Sequence, residues 1–217
     1  MDLASLFELA APVMLRATGY TLVFAVLSMV LGLALGALVA LLRVLEVPLL
    51  KQAAAVYVSA MRGTPLLVQV FIIYYGLPSI GIEFSPLAAG VLALTLNVAA
   101  YLSESLRGAV LGVSSGQWMA GTSLGLSHLQ VLRHIVAPQA LRTAVPSLSN
   151  SLISLIKDTS LVSVIAVTEL MLATKELIST TFQPFPLYLA AAGVYWVLSL
   201  CFERVQRLLE KRLAFPH

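Results

Sequence analysis

Apolar residues in this chain come in long uncharged runs rather than in strict alternation. Positions 18–42, 63–82, 84–103 and 177–202 contain no Asp, Glu, Lys or Arg. A fifth run, 143–168, is interrupted only by Lys157 and Asp158. At about 1.5 Å of rise per helical residue, roughly 20 residues cross a hydrocarbon core of about 30 Å, so each run is long enough to span it as a helix. Strands of a membrane barrel would be shorter and would alternate in polarity, which these runs do not. The pattern predicts helical spans at about 18–42, 48–80, 86–110, 140–168 and 186–208 within one transmembrane domain covering 1–217. The second span is longer than a bilayer requires and is expected to tilt or break near Gly63-Thr64-Pro65.

Composition strengthens that reading. Hydrophobic residues make up 59% and charged residues 11% of 217 positions, against about 45–50% and 25% in a soluble domain. With a mean hydropathy of +0.96, a soluble enzyme, a disordered tail and a disulfide scaffold are disfavoured. The fold class expected is an all-α integral membrane protein of about five transmembrane helices. The one cysteine, Cys201, cannot make an internal disulfide and reads as a small packed side chain. Asp2 and Glu8 make the N-terminus acidic, which argues against a cleavable signal peptide.

Charge placement then gives an orientation. An odd number of spans puts Arg43, Lys51, Arg107, Arg133, Arg142, Arg204, Arg207, Lys211 and Arg212 on one side, and only Arg16 and Lys175 on the other. Bases concentrate on the cytoplasmic side, so the N-terminus is expected outside and the C-terminus in the cytoplasm. The bases cluster at helix ends rather than along an exposed face, so the pI near 9.2 does not point to nucleic acid. The longest inter-span stretch, about 111–139, falls on the cytoplasmic side. Gly116, Gly121, Gly125 and Pro138 should divide it into short helical pieces, making it a candidate docking surface.

That loop carries a resemblance. Gly116-Gln117-Trp118-Met119-Ala120-Gly121, then Gly125, then Ile135-Val136-Ala137-Pro138, resembles the loop signature of bacterial ABC importer permeases: Glu-Ala-Ala, three residues, Gly, nine residues, Ile-x-Leu-Pro. Further blocks resemble the polar amino-acid branch, the histidine, glutamine, glutamate and arginine permeases. These are Arg62-Gly63-Thr64-Pro65 with Gln69; Tyr74-Tyr75-Gly76-Leu77-Pro78; Asn97, Tyr101 and Glu104; and Pro138-Gln139-Ala140-Leu141-Arg142, Pro146, Asn150 and Lys157-Asp158-Thr159-Ser160-Leu161. The resemblance implies a type I permease with a cytoplasmic coupling helix, working beside a second permease subunit, identical or related. It also implies two cytoplasmic ATPase subunits and an external amino-acid-binding protein. No phosphate-binding Gly-x-x-x-x-Gly-Lys-Ser/Thr loop occurs in the sequence, so no cofactor is expected on this chain, and ATP with its Mg belongs on the partner ATPase.

The loop departs from the signature at three places. Met119 stands where the family has Glu, Gly121 where it has Ala, and Ala137 where it has Leu. An acidic first turn would favour a helix N-terminus by about 0.3–1 kcal/mol, and Gly in place of Ala costs about 1 kcal/mol of helix propensity. A short helix over about 118–124 is expected to present Trp118, Met119 and Thr122 to a groove on the ATPase, with Gly116 and Gly125 permitting turns at its ends.

Polar residues within the spans form the second constellation. Asn97, Tyr101 and Glu104, at i, i+4 and i+7, share one helical face. Asn150, Ser154 and Asp158 share another. Ionisable groups at membrane depth are costly unless paired or facing water, so both faces should turn toward the bundle interior. Asn97, Tyr101, Glu104, Asn150, Ser154 and Asp158 are therefore candidate substrate-pathway residues. Glu104 has Arg107 within reach as an alternative partner. Asp158 would receive an ammonium group and Lys157 a carboxylate, or the two would neutralise internal partners. Gly32 and Gly36 permit close helix approach, and His128 and His134 have poor spacing for a metal. The functional expectation is a permease subunit of an ATP-driven importer for polar L-amino acids, cationic ones included. The alternative from another class is a self-contained ion-coupled carrier or channel, with Glu104 and Asp158 as coupling groups. An intramembrane enzyme would need a nucleophile–base pair that the spans do not offer.

Overall fold

The computed structural model describes residues 2–46 and 48–213, and every regular element among them is helical, as the apolar runs predict. Helix α1 (Leu3–Val44) is followed by α2 (Leu50–Gly63) and α3 (Leu66–Phe71), which continues as a π-helical turn (Ile72–Gly76) and a 3-10 turn (Leu77–Ile80). Then come α4 (Pro86–Leu111), α5 (Ser115–Ser123) and α6 (His128–Val131); a π-helical turn (Leu132–Val136) leads into α7 (Ala137–Asp158). A 3-10 segment (Thr159–Ile165), α8 (Leu170–Thr181) and α9 (Pro184–Leu213) complete the order.

Helix α1 begins well before the uncharged window that foretold it. Its 42 residues make a rod of about 63 Å, capped by Asp2, whose carboxylate accepts a hydrogen bond from the Ser5 amide at 3.0 Å. Glu8 and Arg16 interrupt the apolar run but lie on the exposed side of the helix. On the opposite side Leu6, Ala10 and Met14, four residues apart, pack against Leu170, Leu177 and Leu187. Spacing by turns therefore sustains the helix where composition alone would end it.

The long second segment breaks at Thr64-Pro65. Proline has no amide hydrogen and disfavours helical geometry in the residue before it. Thr64 is accordingly extended (φ −121°, ψ 148°), and α2 and the segment 66–80 meet at 109°.

Helices α1 and α4 make the most extensive contact in the bundle. Ser28, Gly32 and Gly36 recur at steps of four on α1 and are all buried. A Cβ at Gly32 would collide with Val98 Cγ1, and one at Gly36 would lie 2.8 Å from the Ala99 carbonyl oxygen. The Gly-x-x-x-Gly pattern thus serves close packing within the chain. Around this pair Phe24, Val70, Leu94, Leu102, Leu155 and Val162 close the central core.

Contacts define two ends of the bundle. The end of α1, the end of α4 and the start of α7 converge, with Val44 and Val110 beside Val131 and Val136, and Ala109 against Ala140 and Ala144. The start of α1, α8 and the start of α9 converge at the other end. By length and apolarity α1, α4 and α9 can each cross a membrane, and the bent α2–α3 pair adds a fourth crossing if taken as one span. Helix α7 has 22 residues and carries a polar face whose destination is the cavity described next.

Candidate substrate pathway and coupling loop

A cavity of about 560 Å³ opens between α4, α7 and the break in the second segment. Helix α4 supplies Asn97, Val98, Tyr101 and Ser105 to its wall, and α7 supplies Ser147, Asn150, Ser151, Ser154 and Asp158. Thr64, Pro65 and Leu66 of the break form the remainder. Five of the six candidate pathway residues meet here, because the two polar helix faces are turned toward each other. Among the described residues no hydrogen bond or ion pair reaches the Asp158 carboxylate, although Asp158 is half-buried. Ser105 and Ser147 share a hydrogen bond of 2.7 Å between their hydroxyls, which ties α4 to α7 at the end of the cavity away from Asp158.

Asn97 contributes to the cavity's shape as well as its lining. Its amide donates to the Met61 carbonyl at 3.3 Å and to Gln69 Oε1 at 3.0 Å. The buried Gln69 amide donates in turn to the Met61 carbonyl at 2.8 Å, Thr64 Oγ1 at 2.9 Å and the Thr64 carbonyl at 3.2 Å. The broken helix leaves carbonyls without helical partners, and these two side chains satisfy them. Gln69 takes this role because the break lies five residues upstream and leaves its oxygens within reach.

Glu104 is the sixth candidate, and it lies outside the cavity lining. Its carboxylate is held by Arg43 of α1 and by Arg107, which donates from Nε at 3.2 Å and Nη2 at 2.9 Å. Arg62 Nη1 approaches at 3.8 Å, and its guanidinium also sits 5.3 Å from the centroid of the Tyr101 ring. One carboxylate thus joins α1, α2 and α4. Arg107 was within sequence reach at i+3, whereas Arg43, sixty-one positions away, could be found only by folding.

The loop carries α5 and α6. Ser114 caps α5, and Gly125 ends it with φ +81°. The Leu126 amide bonds to the Gly121 carbonyl and the Gly125 amide to the Thr122 carbonyl, the paired pattern that calls for a left-handed residue just past the helix. Gly121 is buried, and a Cβ there would lie 2.7 Å from Val131 Cγ2 and 2.9 Å from Ile135 Cδ1. Glycine in place of the family's alanine lets α5 sit against the residues that lead into α7. Gly116, Gln117, Met119 and Ala120 are exposed, and the Gln139 amide reaches Gln117 at 3.4 Å. Pro138 follows closely on the π-helical turn Leu132–Val136 within a continuous helical segment, and the wider turn ahead of it accommodates the proline that has no amide to donate.

Trp118 corrects one expectation. It does not face outward with Met119 and Thr122; its ring stacks on His128 at 4.6 Å and packs among Val131, Leu132 and Val136. An indole buries more apolar area than a thioether or a threonine, so the helix turns that side inward.

Sequence reasoning passed over Glu169. It is fully buried, caps α8 by accepting from the Leu172 amide at 2.7 Å, and accepts from the Tyr195 hydroxyl of α9 at 2.9 Å. Beside it Thr21 Oγ1 accepts from the Leu170 amide at 3.1 Å. An acidic residue immediately ahead of an apolar run was the available signal for a cap.

A family model described as binding-protein-dependent transport system inner membrane component matches residues 32–215. The chain is 42% identical over 203 residues to the L-cystine transport system permease protein TcyB of Bacillus subtilis (strain 168), covering 93% of this chain and 87% of that one. It is 36% identical over 206 residues to the glutamine transport system permease protein GlnP of Escherichia coli (strain K12), covering 94% of each. Among solved structures it superposes with a TM-score of 0.92 on a chain from the crystal structure of an amino acid ABC transporter with histidines, at 33% identity and covering 98% and 99% of the two chains. A chain of the MetNI methionine ABC transporter in an inward-facing conformation shares the fold at a TM-score of 0.68 and 17% identity, covering 96% of this chain and 99% of that one.

Proposed function

This chain belongs to the binding-protein-dependent transport system inner membrane components, and from that premise we propose how it moves a polar amino acid across the membrane. It is a multi-pass membrane permease subunit of an ABC importer rather than an enzyme, and ATP hydrolysis resides on a separate subunit. ATPase and external binding-protein partners follow from the family. The cargo is a polar L-amino acid, in keeping with the cystine and glutamine permeases among its relatives.

The observation that carries the pathway is the α4–α7 cavity, which holds one carboxylate, Asp158, with no ion-pair partner among the described residues, together with amides, hydroxyls and the apolar Pro65, Leu66 and Val98. An ammonium group arriving there gives Asp158 its counter-charge. Asn97, Tyr101, Asn150 and Ser154 offer hydrogen bonds to the remaining polar atoms. Glu104 acts through Arg43, Arg62 and Arg107 rather than on the substrate. The Ser105–Ser147 contact closes the end of the pathway and must part for release.

A second permease, identical or related, completes the translocation unit. The exposed Gln117, Met119 and Ala120 meet one of two ATPase subunits, which bind ATP and Mg. Trp118, Gly121 and Pro138 transmit their displacement to α7, and Gly116 and Gly125 set the loop's corners. The crowded basic end is cytoplasmic and the N-terminus external, as the placement of bases supports.

Uptake by proteoliposomes containing the assembled transporter, its binding protein and labelled amino acids tests this reading. Accumulation should require ATP on the ATPase side. Uptake that persists without ATP and follows a proton gradient would replace it with an ion-coupled carrier.

A further inference from the structure

Three cavities adjoin at the end of the bundle where α1, α4 and α7 converge, and they change in character along their length. The first, about 470 Å³, is a basin presenting Arg43, Lys51, Arg107 and His128, with Glu46 as its one carboxylate. The second, about 370 Å³, shares Val44, Leu111 and His128 with the basin and adds Val110 and Trp118. The third, about 160 Å³, shares Val44 and Val110 with the second and is lined only by apolar side chains, including Ala37, Leu41, Leu132 and Leu141. Ala37, Leu41 and Leu141 are exposed, so this groove opens on the flank of the bundle.

Among the described residues the basin's charge is not cancelled internally. Lys51 Nζ donates to Glu46 at 2.6 Å, and Arg43 and Arg107 share the single carboxylate of Glu104. Three permanent cations therefore face two carboxylates. A guanidinium has five N–H donors; Arg107 spends its Nε and Nη2 on Glu104, and Arg43 its Nη1. The remaining donors have room for an anion.

We propose that this basic basin and the apolar groove continuous with it form a binding site for one anionic phospholipid, its phosphate among Arg43, Lys51 and Arg107 and an acyl chain along Ala37, Leu41 and Leu141. Charge complementarity selects the headgroup, and basic pockets between membrane helices hold such headgroups elsewhere. Continuity with a wholly apolar groove selects an amphiphile over a free phosphate ion, which would leave the groove unmatched. The lipid would wedge beneath the Trp118–His128 stack and brace α5 against the ends of α1 and α4. This site goes beyond the transport reading and depends only on the chain residing in a bilayer.

The test is lipid retention by the assembled transporter purified in mild detergent and exposed to an equal mixture of phosphatidylglycerol and phosphatidylcholine, with bound lipid counted by mass spectrometry. Phosphatidylglycerol should be retained preferentially. Lys51→Gln, which removes a cation and leaves Glu46 unpaired, should lower that preference at least fivefold. Lys51→Arg should preserve it, and Ala37→Phe, which fills the groove from an exposed position, should lower retention without altering thermal stability. Equal retention of both lipids, or retention unchanged by Lys51→Gln and Ala37→Phe, overturns the proposal. So does displacement of the lipid by millimolar inorganic phosphate, which would make the basin an ion site. A change in permease stoichiometry accompanying Ala37→Phe would assign the groove to a second copy of the chain instead. Amino-acid uptake in phosphatidylcholine vesicles remains a separate readout, so the transport reading and the lipid site fail independently.

Discussion

Asp158 and Glu169 are both acidic residues inside a membrane bundle, and their surroundings assign them opposite tasks. Glu169 is buried with its carboxylate already engaged by a backbone amide and by Tyr195. Tyr195→Phe deletes that hydroxyl and leaves a buried oxygen without its donor, a loss of about 1–3 kcal/mol. Thermal unfolding of the detergent-solubilised complex should register the loss, while amino-acid affinity stays unchanged. Asp158 has no such engagement and faces the cavity. Asp158→Asn preserves shape and removes the charge, so uptake should fall tenfold or more and amino-acid binding to the purified complex should weaken with it. Intact binding in this variant would restrict Asp158 to a structural task. Gln69→Leu should likewise lower thermal stability, because the Thr64 oxygens at the helix break lose their side-chain donor and the Met61 carbonyl keeps only Asn97.

At the scale of elements, α5 is held from inside and exposes its other side. Trp118 and Gly121 pack inward while Gln117, Met119 and Ala120 face out. Gly125→Ala forces a side chain into the left-handed region at a cost of about 1–2 kcal/mol, which should loosen the corner between α5 and α6. ATP hydrolysis by the assembled transporter is then expected to continue while transport per ATP falls; normal coupling would show that this corner transmits nothing. Trp118→Asp should act more strongly and through a different cause, by withdrawing an apolar anchor from beneath the loop. The α1–α4 pair invites a purely structural comparison. A Cβ at Gly36 meets a backbone carbonyl at 2.8 Å, which cannot swing away like a side chain. Gly36→Ala should therefore lower thermal stability, whereas the same change at Gly19, with nothing within 4 Å, should not.

For the whole molecule, the gathering of bases at one end gives a topology that labelling can check. In a Cys201→Ser background, Ala4→Cys should react with a membrane-impermeant thiol reagent added outside cells, and Glu210→Cys only after lysis. The reverse pattern would invert the proposed orientation. Glu104 matters at this scale because it ties three helices at that same end. Glu104→Gln removes the one acceptor shared by Arg43 and Arg107 and sets partly buried cations against each other. The complex should lose stability even though this carboxylate lies outside the cavity lining. High salt should narrow the difference between variant and parent, since screening weakens both the attraction and the repulsion.

How much of this was legible in the chain depends on distance along it. Uncharged runs, helix-period polar faces and Pro65 determined an all-helical membrane protein, a second segment that must tilt or break, and which polar side chains share a face on α4 and on α7. Each of these follows from local chemistry: the bilayer excludes unpaired backbone, and proline removes an amide. The loop signature, read as a resemblance, pointed to the family that the comparisons then established. Only the tertiary structure decided that Arg43 joins Arg107 on Glu104, that Trp118 faces inward, that Glu169 meets Tyr195, and that Gly32 and Gly36 serve α4. Those outcomes pair residues from different helices. Helical spacing fixes which side chains share a face, but the facing helix becomes known only when packing chooses it.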